Sequence, residues 1–522
     1  MMNTNKLKSL IIVGGGSAGW ITALYLQQYF NQRQQHINIT VLESEHQGPI
    51  GVGEATVHSI RFLFSALGLD ESELMQRTNA TLKLGILFRN WMQPSAGKQH
   101  EYFHPFEQQN MQGNYDLASE WMIGEHYRHQ RYDQGVCLSS LLAQIERSPK
   151  TSQHNHYQGF LPYAYHLDAV LLGQYLREKG IERGIKHGFE TVTEVHCEAG
   201  KIKSITTNVG QHQADFFVDC SGFKGLLINA LKQDNWLSFK RELPCDKAVA
   251  IQTDYPSGYT PKPYTTATAL DNGWAWQIDL VNRRGNGYVY DSDKINPEAA
   301  EQELRTFLGP ASSDRKALHL DMHVGRRKEC WVGNCVAIGL SAGFIEPLES
   351  TGLHLINVGA RLFATHYSNQ HTTQSLRDSY NKSMAGVFED LKQFIVLHYC
   401  LTNRTDTAFW QQAGDSAKLQ PDLAEKLTLW KHKICEFMDL AGGYSTTFND
   451  ENYRYVLYGM QHYPNLHLDV DSQSNQQLFY AVKHKARELS ARTIPHSMFL
   501  EALHQKPLFE DAKPHLPGGS NV

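Results

Sequence analysis

The sequence predicts an α/β fold, Rossmann-like in its first part and largely helical towards the C terminus. Two strand–turn–helix units and one change of pattern predict it. Leu10-Ile11-Ile12-Val13 reads as a buried strand, Gly14 to Trp20 as a tight turn, and Ile21 to Phe30 as a helix. Cys335 to Ile338 reads as a second short buried strand that breaks at Gly339. Beyond it Leu353, Leu355, Ile356, Ala360, Leu362 and Phe363 recur like one face of a helix. After about residue 396 the pattern is mostly helical, and a polar Pro/Gly-containing tail covers 506–522.

The chain has 522 residues, 41% hydrophobic and 20% charged, which is ample material for a large core. A net charge of −5 without a dense Lys/Arg run argues against nucleic acid and anionic membrane as partners. The eight cysteines are scattered with no C-x-x-C pair, and no apolar run approaches the length of a membrane span. A strand that starts within ten residues leaves no room for a signal peptide. The expected location is the cytoplasm. His126 with His129, and His154 with His156, have no carboxylate or cysteine to complete a ligand set, so no metal site is predicted.

In the first unit, Gly14, Gly16 and Gly19 satisfy G-x-G-x-x-G around Ser17 and Ala18. One glycine makes the turn, one admits a pyrophosphate to the backbone, and one lets helix pack on strand. A strand from Ile37 to Leu42 ends at Glu43, placed for ribose hydroxyls. Together these predict a dinucleotide site and leave FAD or NAD open. Gly48 to Thr56 is a second glycine-rich loop containing Val52, Gly53, Glu54 and Ala55. Thr81 to Phe88 sets Lys83 inside an apolar run, where it either snorkels from a strand edge or is tuned for reactivity. Residues from about Asn90 to Gly159 read as an insertion rather than regular sheet. Tyr165 to Ala169 reads as the start of an amphipathic helix, and Thr191–Val195, Ile202–Thr206 and Phe216–Asp219 as strands. The turn Asp219-Cys220-Ser221-Gly222-Phe223 lets backbone approach a cofactor. Trp274 and Trp276, two apart, share one strand face. At the second unit, Ser350-Thr351-Gly352 alone reads as an ordinary helix cap; with Glu349 beside it and a dinucleotide fingerprint elsewhere, it reads as a helix start that offers N–H groups and positive potential to an anion. Phe388 to Leu401 predicts a long helix ending near Thr402-Asn403, then a structural loop carrying Phe409 and Trp410.

Taken whole, GLSAGFIEPLESTG resembles the second flavin-contacting segment of the flavin-dependent tryptophan halogenase family. GVGEAT is similar to that family's strap over the flavin, and TLKLGILF to its catalytic-lysine segment. His104-Pro105-Phe106 matches its His-x-Phe, and DCSGF is similar to the third FAD-contacting turn of flavoprotein monooxygenases. WAWQID resembles the family's W-x-W-x-I-P signature, with Asp279 where proline belongs. The resemblance implies an FAD-binding monooxygenase/halogenase fold. In it, residues 6–395 form the FAD-binding module, with a substrate-side insertion around 90–160. Residues 396–505 form a helical region covering the substrate.

The resemblance implies roles residue by residue. Gly14, Gly16, Ser17, Ala18, Gly19, Glu43, Val52, Gly53, Glu54, Ala55, Gly339, Leu340 and Ile345 contact FAD. Thr351 and Gly352 hold chloride or bromide, and Lys83 and Glu349 are catalytic. His104, Phe106, Trp274, Trp276 and Phe448 lie on the substrate side. Reduced FAD (FADH2), O2 and halide yield hypohalous acid, which Lys83 guides to a small aromatic substrate. A separate NAD(P)H-dependent flavin reductase supplies the reduced flavin, and a homodimer is a candidate assembly. Free-tryptophan members carry a glutamate and a Phe-Trp pair ahead of an Asn-Tyr. With Asn452-Tyr453 in that place, the matching positions hold Gly443, Thr447 and Phe448. The carboxylate for an ammonium group is missing, so an indole or a larger indole or phenol derivative is expected to fit better than tryptophan. The rival readings are an FAD-dependent aromatic hydroxylase and a catalytically silent flavin-binding protein.

Overall fold

The computed structural model describes residues 7–31, 36–45, 53–95, 97–108, 111–367, 373–415, 417, 419–440, 447–466 and 471–505. Its first layer is a six-stranded sheet in the order Lys186–Phe189, Asn38–Glu43, Ser9–Val13, Phe216–Asp219, Cys335–Ala337, Trp331–Val332. The first five strands are parallel and the last closes an antiparallel hairpin. Parallel strands are covered on both faces and so read as apolar runs. Leu10, Ile12, Val41, Phe217, Val218 and Val336 are all fully buried. The helices Ser17–Asn31, Ala169–Glu182 and Gly352–His366 pack against this layer or against one another, with Trp20 at the centre of the first contact.

The two predicted units thus become neighbours. Gly14 lies at φ +117°, and a Cβ there would fall 2.1 Å from the carbonyl oxygen of Cys220, so only glycine fits. Asp219 is fully buried, and its carboxylate accepts from the backbone N–H groups of Ser221, Leu227 and Ile228, which fixes the DCSGF turn.

The second layer is a seven-stranded sheet ordered Ala317–Asp321, Lys247–Thr253, Arg284–Tyr290, Gly273–Asp279, Thr265–Leu270, Gly85–Arg89, Glu101–Pro105. A small sheet of Gly53–Ala55, Ala164–Asp168 and Thr81–Lys83 lies against this second layer through Gly53–Ala55. The C-terminal portion is helical, with Gln374–Cys400, Asp450–Gly459 and Ser472–Arg492 the principal elements.

Three expectations are corrected. The segment after Asn90 is not wholly irregular, because Glu101–Pro105 is an edge strand paired antiparallel with Gly85–Arg89. Tyr165 to Asp168 is strand, and the helix starts at Ala169 with Asp168 as its cap, accepting from the N–H groups of Val170 and Leu171. Phe409 and Trp410 lie on a short helix, Ala408–Ala413, not in a loop. Both rings are buried, and Trp410 donates its indole N–H to the carbonyl of Leu270.

Candidate active site

On the cofactor side the chain offers backbone rather than side chains. Gly16 and Ser17 open the helix Ser17–Asn31, whose first-turn N–H groups lack intrahelical acceptors. A Cβ on Gly16 would meet no protein atom within 4 Å, whereas one on Gly19 would strike the carbonyl oxygen of Gly14 at 1.8 Å. The middle glycine therefore borders open space and the outer two border protein, the arrangement a pyrophosphate cradle requires. Glu43 ends its strand beside this turn, one carboxylate oxygen 3.1 Å from Nε2 of His187. Gly339 (φ +76°) abuts the Ala18 methyl, bringing the second unit, with Leu340 and the buried Ile345, onto the first. Val52 lies outside the described residues; Gly53, Glu54 and Ala55 form a short strand. These residues fit a dinucleotide such as FAD.

Lys83 ends the strand Thr81–Lys83 and is fully buried. Its ammonium donates to the carbonyl of Thr56 at 3.0 Å and to the hydroxyl of Ser350 at 2.9 Å, and lies 5.2 Å from the centre of the Phe106 ring. Snorkelling is thereby excluded. Burial among neutral partners drives its pKa from 10.5 down to about 7, and the charge of Glu349 offsets part of that fall. Ser350 adopts left-handed backbone, φ 61°, costly for a residue with a Cβ and held here by its surroundings.

Glu349 is buried one residue earlier. His104 Nδ1 lies 2.9 Å from both of its oxygens, and His398 Nε2 lies 3.0 Å from Oε1, off the line of a hydrogen bond. Burial alone would raise this carboxyl; its interaction with His104, reinforced by His398, outweighs burial and holds Glu349 at about 2. The other nitrogen of His104 faces the Asn452 amide NH2 at 2.9 Å. That amide is oriented by its own oxygen, which accepts from the N–H of Asn449 in a capping box. Nε2 must therefore accept and Nδ1 must carry the hydrogen directed at Glu349. Phe448 stacks on Phe394 with centroids 4.0 Å apart and lies 5.8 Å from the His104 ring.

The helix Gly352–His366 begins directly after Ser350-Thr351, so the predicted halide donors stand at a true helix start, its N-cap being Thr351. A carboxylate oxygen of Glu54 is 3.7 Å from where a Cβ on Gly352 would sit. Trp274 and Trp276 are buried on one strand with rings 6.3 Å apart. Asp279 does not disturb that strand: it pairs with Arg284, and its carboxylate accepts from the Arg284 guanidinium and the Tyr259 hydroxyl.

The sequence reading did not name Glu346, Ser350 or His398 as site residues, and it placed Asn452 only as a landmark. The one available signal for His398 was a histidine within the apolar run FIVLHYCL. Partnership with Glu349 across the fold leaves no local trace. Among the described residues no cluster of three metal-ligating side chains occurs, and no helix is long and apolar enough to cross a membrane.

The chain thus combines a glycine turn that fits a dinucleotide with a lysine and a glutamate buried near one helix start, a combination that suits a dinucleotide-dependent enzyme. Comparison with known proteins specifies which. The tryptophan halogenase family model matches residues 9–475. The tryptophan 6-halogenase SttH of Streptomyces toxytricini is 38% identical over 460 residues, covering 83% of this chain and 86% of its own length. The 7-chloro-L-tryptophan 6-halogenase KtzR of Kutzneria sp. (strain 744) is also 38% identical, over 81% of this chain and 85% of its own. The crystal structure of tryptophan halogenase from Shewanella frigidimarina superposes with a TM-score of 0.90 at 31% identity, covering 97% of this chain and 99% of that one. The chain belongs to the tryptophan halogenase family and is a flavin-dependent halogenase; the hydroxylase and silent-binder readings are not favoured.

Proposed function

We propose that the protein halogenates an indole-type arene lacking a free amino-acid group, with FAD as the flavin, Lys83 and Glu349 as reacting groups, and chloride or bromide held at Thr351 and Gly352. The observation that carries the proposal is the buried pair itself: two ionisable side chains enclosed near one turn, one pushed down to about 7 and the other to about 2. Reduced flavin with O2 supplies the oxidation that turns halide into hypohalous acid. A separate flavin reductase supports that supply, since one dinucleotide fingerprint is evident in the sequence.

Lys83 donates a hydrogen bond to the oxygen of hypohalous acid, and this polarises the O–halogen bond. The arene carbon takes the halogen, and the departing hydroxide takes a proton from the Lys83 ammonium and leaves as water. Glu349 accepts the proton displaced from the ring. A carboxylate held ionised suits this, because the cationic arene is a far stronger acid. His104, its hydrogen directed by Asn452, keeps the carboxylate facing the ring. Phe106, Phe448 and Phe394 supply apolar walls.

The substrate class rests on the C-terminal lining. Gly443 lies outside the described residues and carries no charge in any case. Thr447 is occupied by a 2.7 Å bond with His354, and Asn452 is engaged by His104 and Asn449. None offers a carboxylate to an ammonium group. The test supplies FAD, NADH, a flavin reductase, bromide and catalase, and offers indole and tryptophan separately with mass-spectrometric detection. Bromoindole should form with kcat/KM at least about tenfold above tryptophan and vanish in Lys83→Ala. Equal turnover of the two arenes would refute the substrate assignment.

A further inference from the structure

Glu346 is a buried carboxyl that the reaction above does not employ. It begins the turn that ends at Glu349 and is fully enclosed. One oxygen, Oε2, accepts from the indole N–H of Trp274 at 3.0 Å and from the hydroxyl of Tyr399 at 2.5 Å. The other, Oε1, is buried without a hydrogen-bond partner among the described residues. Burial lifts this group to about 7; the bonds from Tyr399 and Trp274 oppose the lift, and no cation contributes. Tyr399 is itself wedged into an aromatic block, its ring 5.3 Å from Trp91 and 6.2 Å from Trp410.

Packing does not account for a carboxyl here, because an apolar side chain of similar size would fill the site at lower cost. What the carboxyl adds is a directional acceptor. An indole in a slot can still swing about its two side-chain bonds, and an N–H bond to a fixed oxygen removes that freedom. The oxygen is fixed twice, by the turn it belongs to and by Tyr399 on the helix Gln374–Cys400.

We propose that Glu346 is a positioning residue that holds Trp274 through its indole N–H, so that the tryptophan partition stays closed and oxidant reaches Lys83 instead of escaping. The inference rests on the halogenase reading and on Trp274 and Trp276 forming the partition. It implies that stabilising the wall and delivering the oxidant are linked by one turn, Glu346 on one side and Glu349 on the other.

The test is a partition ratio. The full-length protein turns over with reductase, FAD, bromide and indole, while a water-soluble 1,3-dicarbonyl trap captures hypobromous acid that escapes. Bromoindole and brominated trap are measured together. Glu346→Ala should shift the ratio towards the trap about fivefold, the scale of one lost hydrogen bond, with KM for indole nearly unchanged. Glu346→Gln, whose carbonyl oxygen still accepts both bonds, should restore the ratio. Trp274→Phe, which keeps a ring but lacks the N–H, should reproduce the shift, and adding Glu346→Ala to it should add nothing. This variant carries the test even if Glu346→Ala does not fold. An unchanged ratio in Trp274→Phe, or a Glu346→Gln variant as leaky as Glu346→Ala, would overturn the inference. Absence of both brominated products from the unaltered protein would instead overturn the halogenase reading beneath it.

Discussion

The sides of this molecule proposed to hold the cofactor and the arene are built from opposite materials. Towards the flavin, Gly14, Gly16, Gly19 and Gly339 present backbone in place of side chains. Towards the arene, Lys83, Glu349, His104 and His398 are buried ionisable side chains that bear on one another. A backbone site tolerates little added volume but carries no net charge to compensate. A side-chain site has space made for it, yet depends on every partner being in place. Substitutions should therefore separate the two sides cleanly.

The largest separation is expected at Lys83. Lys83→Ala should reduce halogenated product by about 100-fold or more while flavin affinity, read by fluorescence titration, stays within about twofold. Loss of flavin binding in that variant would merge the two sides into one. Next come the glycines. Gly16→Ala places its methyl in open space, so the flavin-free Tm should hold while flavin affinity falls about tenfold. Gly14→Ala drives a methyl onto the Cys220 carbonyl and into a disfavoured backbone region, so it should lower the flavin-free Tm itself.

A smaller effect is expected at Asn452. Asn452→Leu removes the donor that faces His104, so the ring's hydrogen is no longer directed at Glu349. A drop in kcat of about tenfold with little change in KM is expected, whereas a KM effect alone would make Asn452 a simple substrate contact.

The smallest expected effect is on stability against pH. Glu346 sits near 7 in the folded protein and at 4.5 when free, so it favours folding below pH 4.5 and that benefit is lost as pH rises through 7. His354 is buried and held at about 4 against 6.5, so its contribution is present above 6.5 and lost as pH falls through 4. Glu346→Gln should consequently raise Tm at pH 8 more than at pH 5, and His354→Gln should soften the acid side of the profile. The ceiling for each is on the order of 3 kcal/mol. Parallel shifts at all pH values would show that neither group titrates on unfolding.

This contrast also explains how much was legible in the sequence. Glycines spaced after an apolar strand act locally, so Gly14, Gly16, Gly19 and the Ser350-Thr351-Gly352 helix start could be placed from a few residues each. Lys83 stood out because an ammonium inside an apolar run is anomalous wherever it occurs. Its partner Ser350 lies 267 residues away, and the bond between them left no mark. His398 looked like one more residue of an apolar helix, and Glu346 like part of a turn. The strand at Glu101–Pro105 was hidden because edge strands alternate weakly and this one ends in proline. The helix-for-strand error at Tyr165 arose because an N-cap aspartate and the apolar residues after it were read as one element.

The capping box at Asn449 has a consequence for how the protein is made. Asn452 reaches His104 across 348 residues, and it does so from a helix near the end of the chain. The parallel sheet of the cofactor layer is complete once Cys335–Ala337 has been synthesised, more than a hundred residues earlier in translation. A nascent chain can thus acquire its cradle while His104 is still undirected and the arene chamber has no C-terminal wall. Birth order alone places the parallel sheet first and completes the surroundings of His104 last.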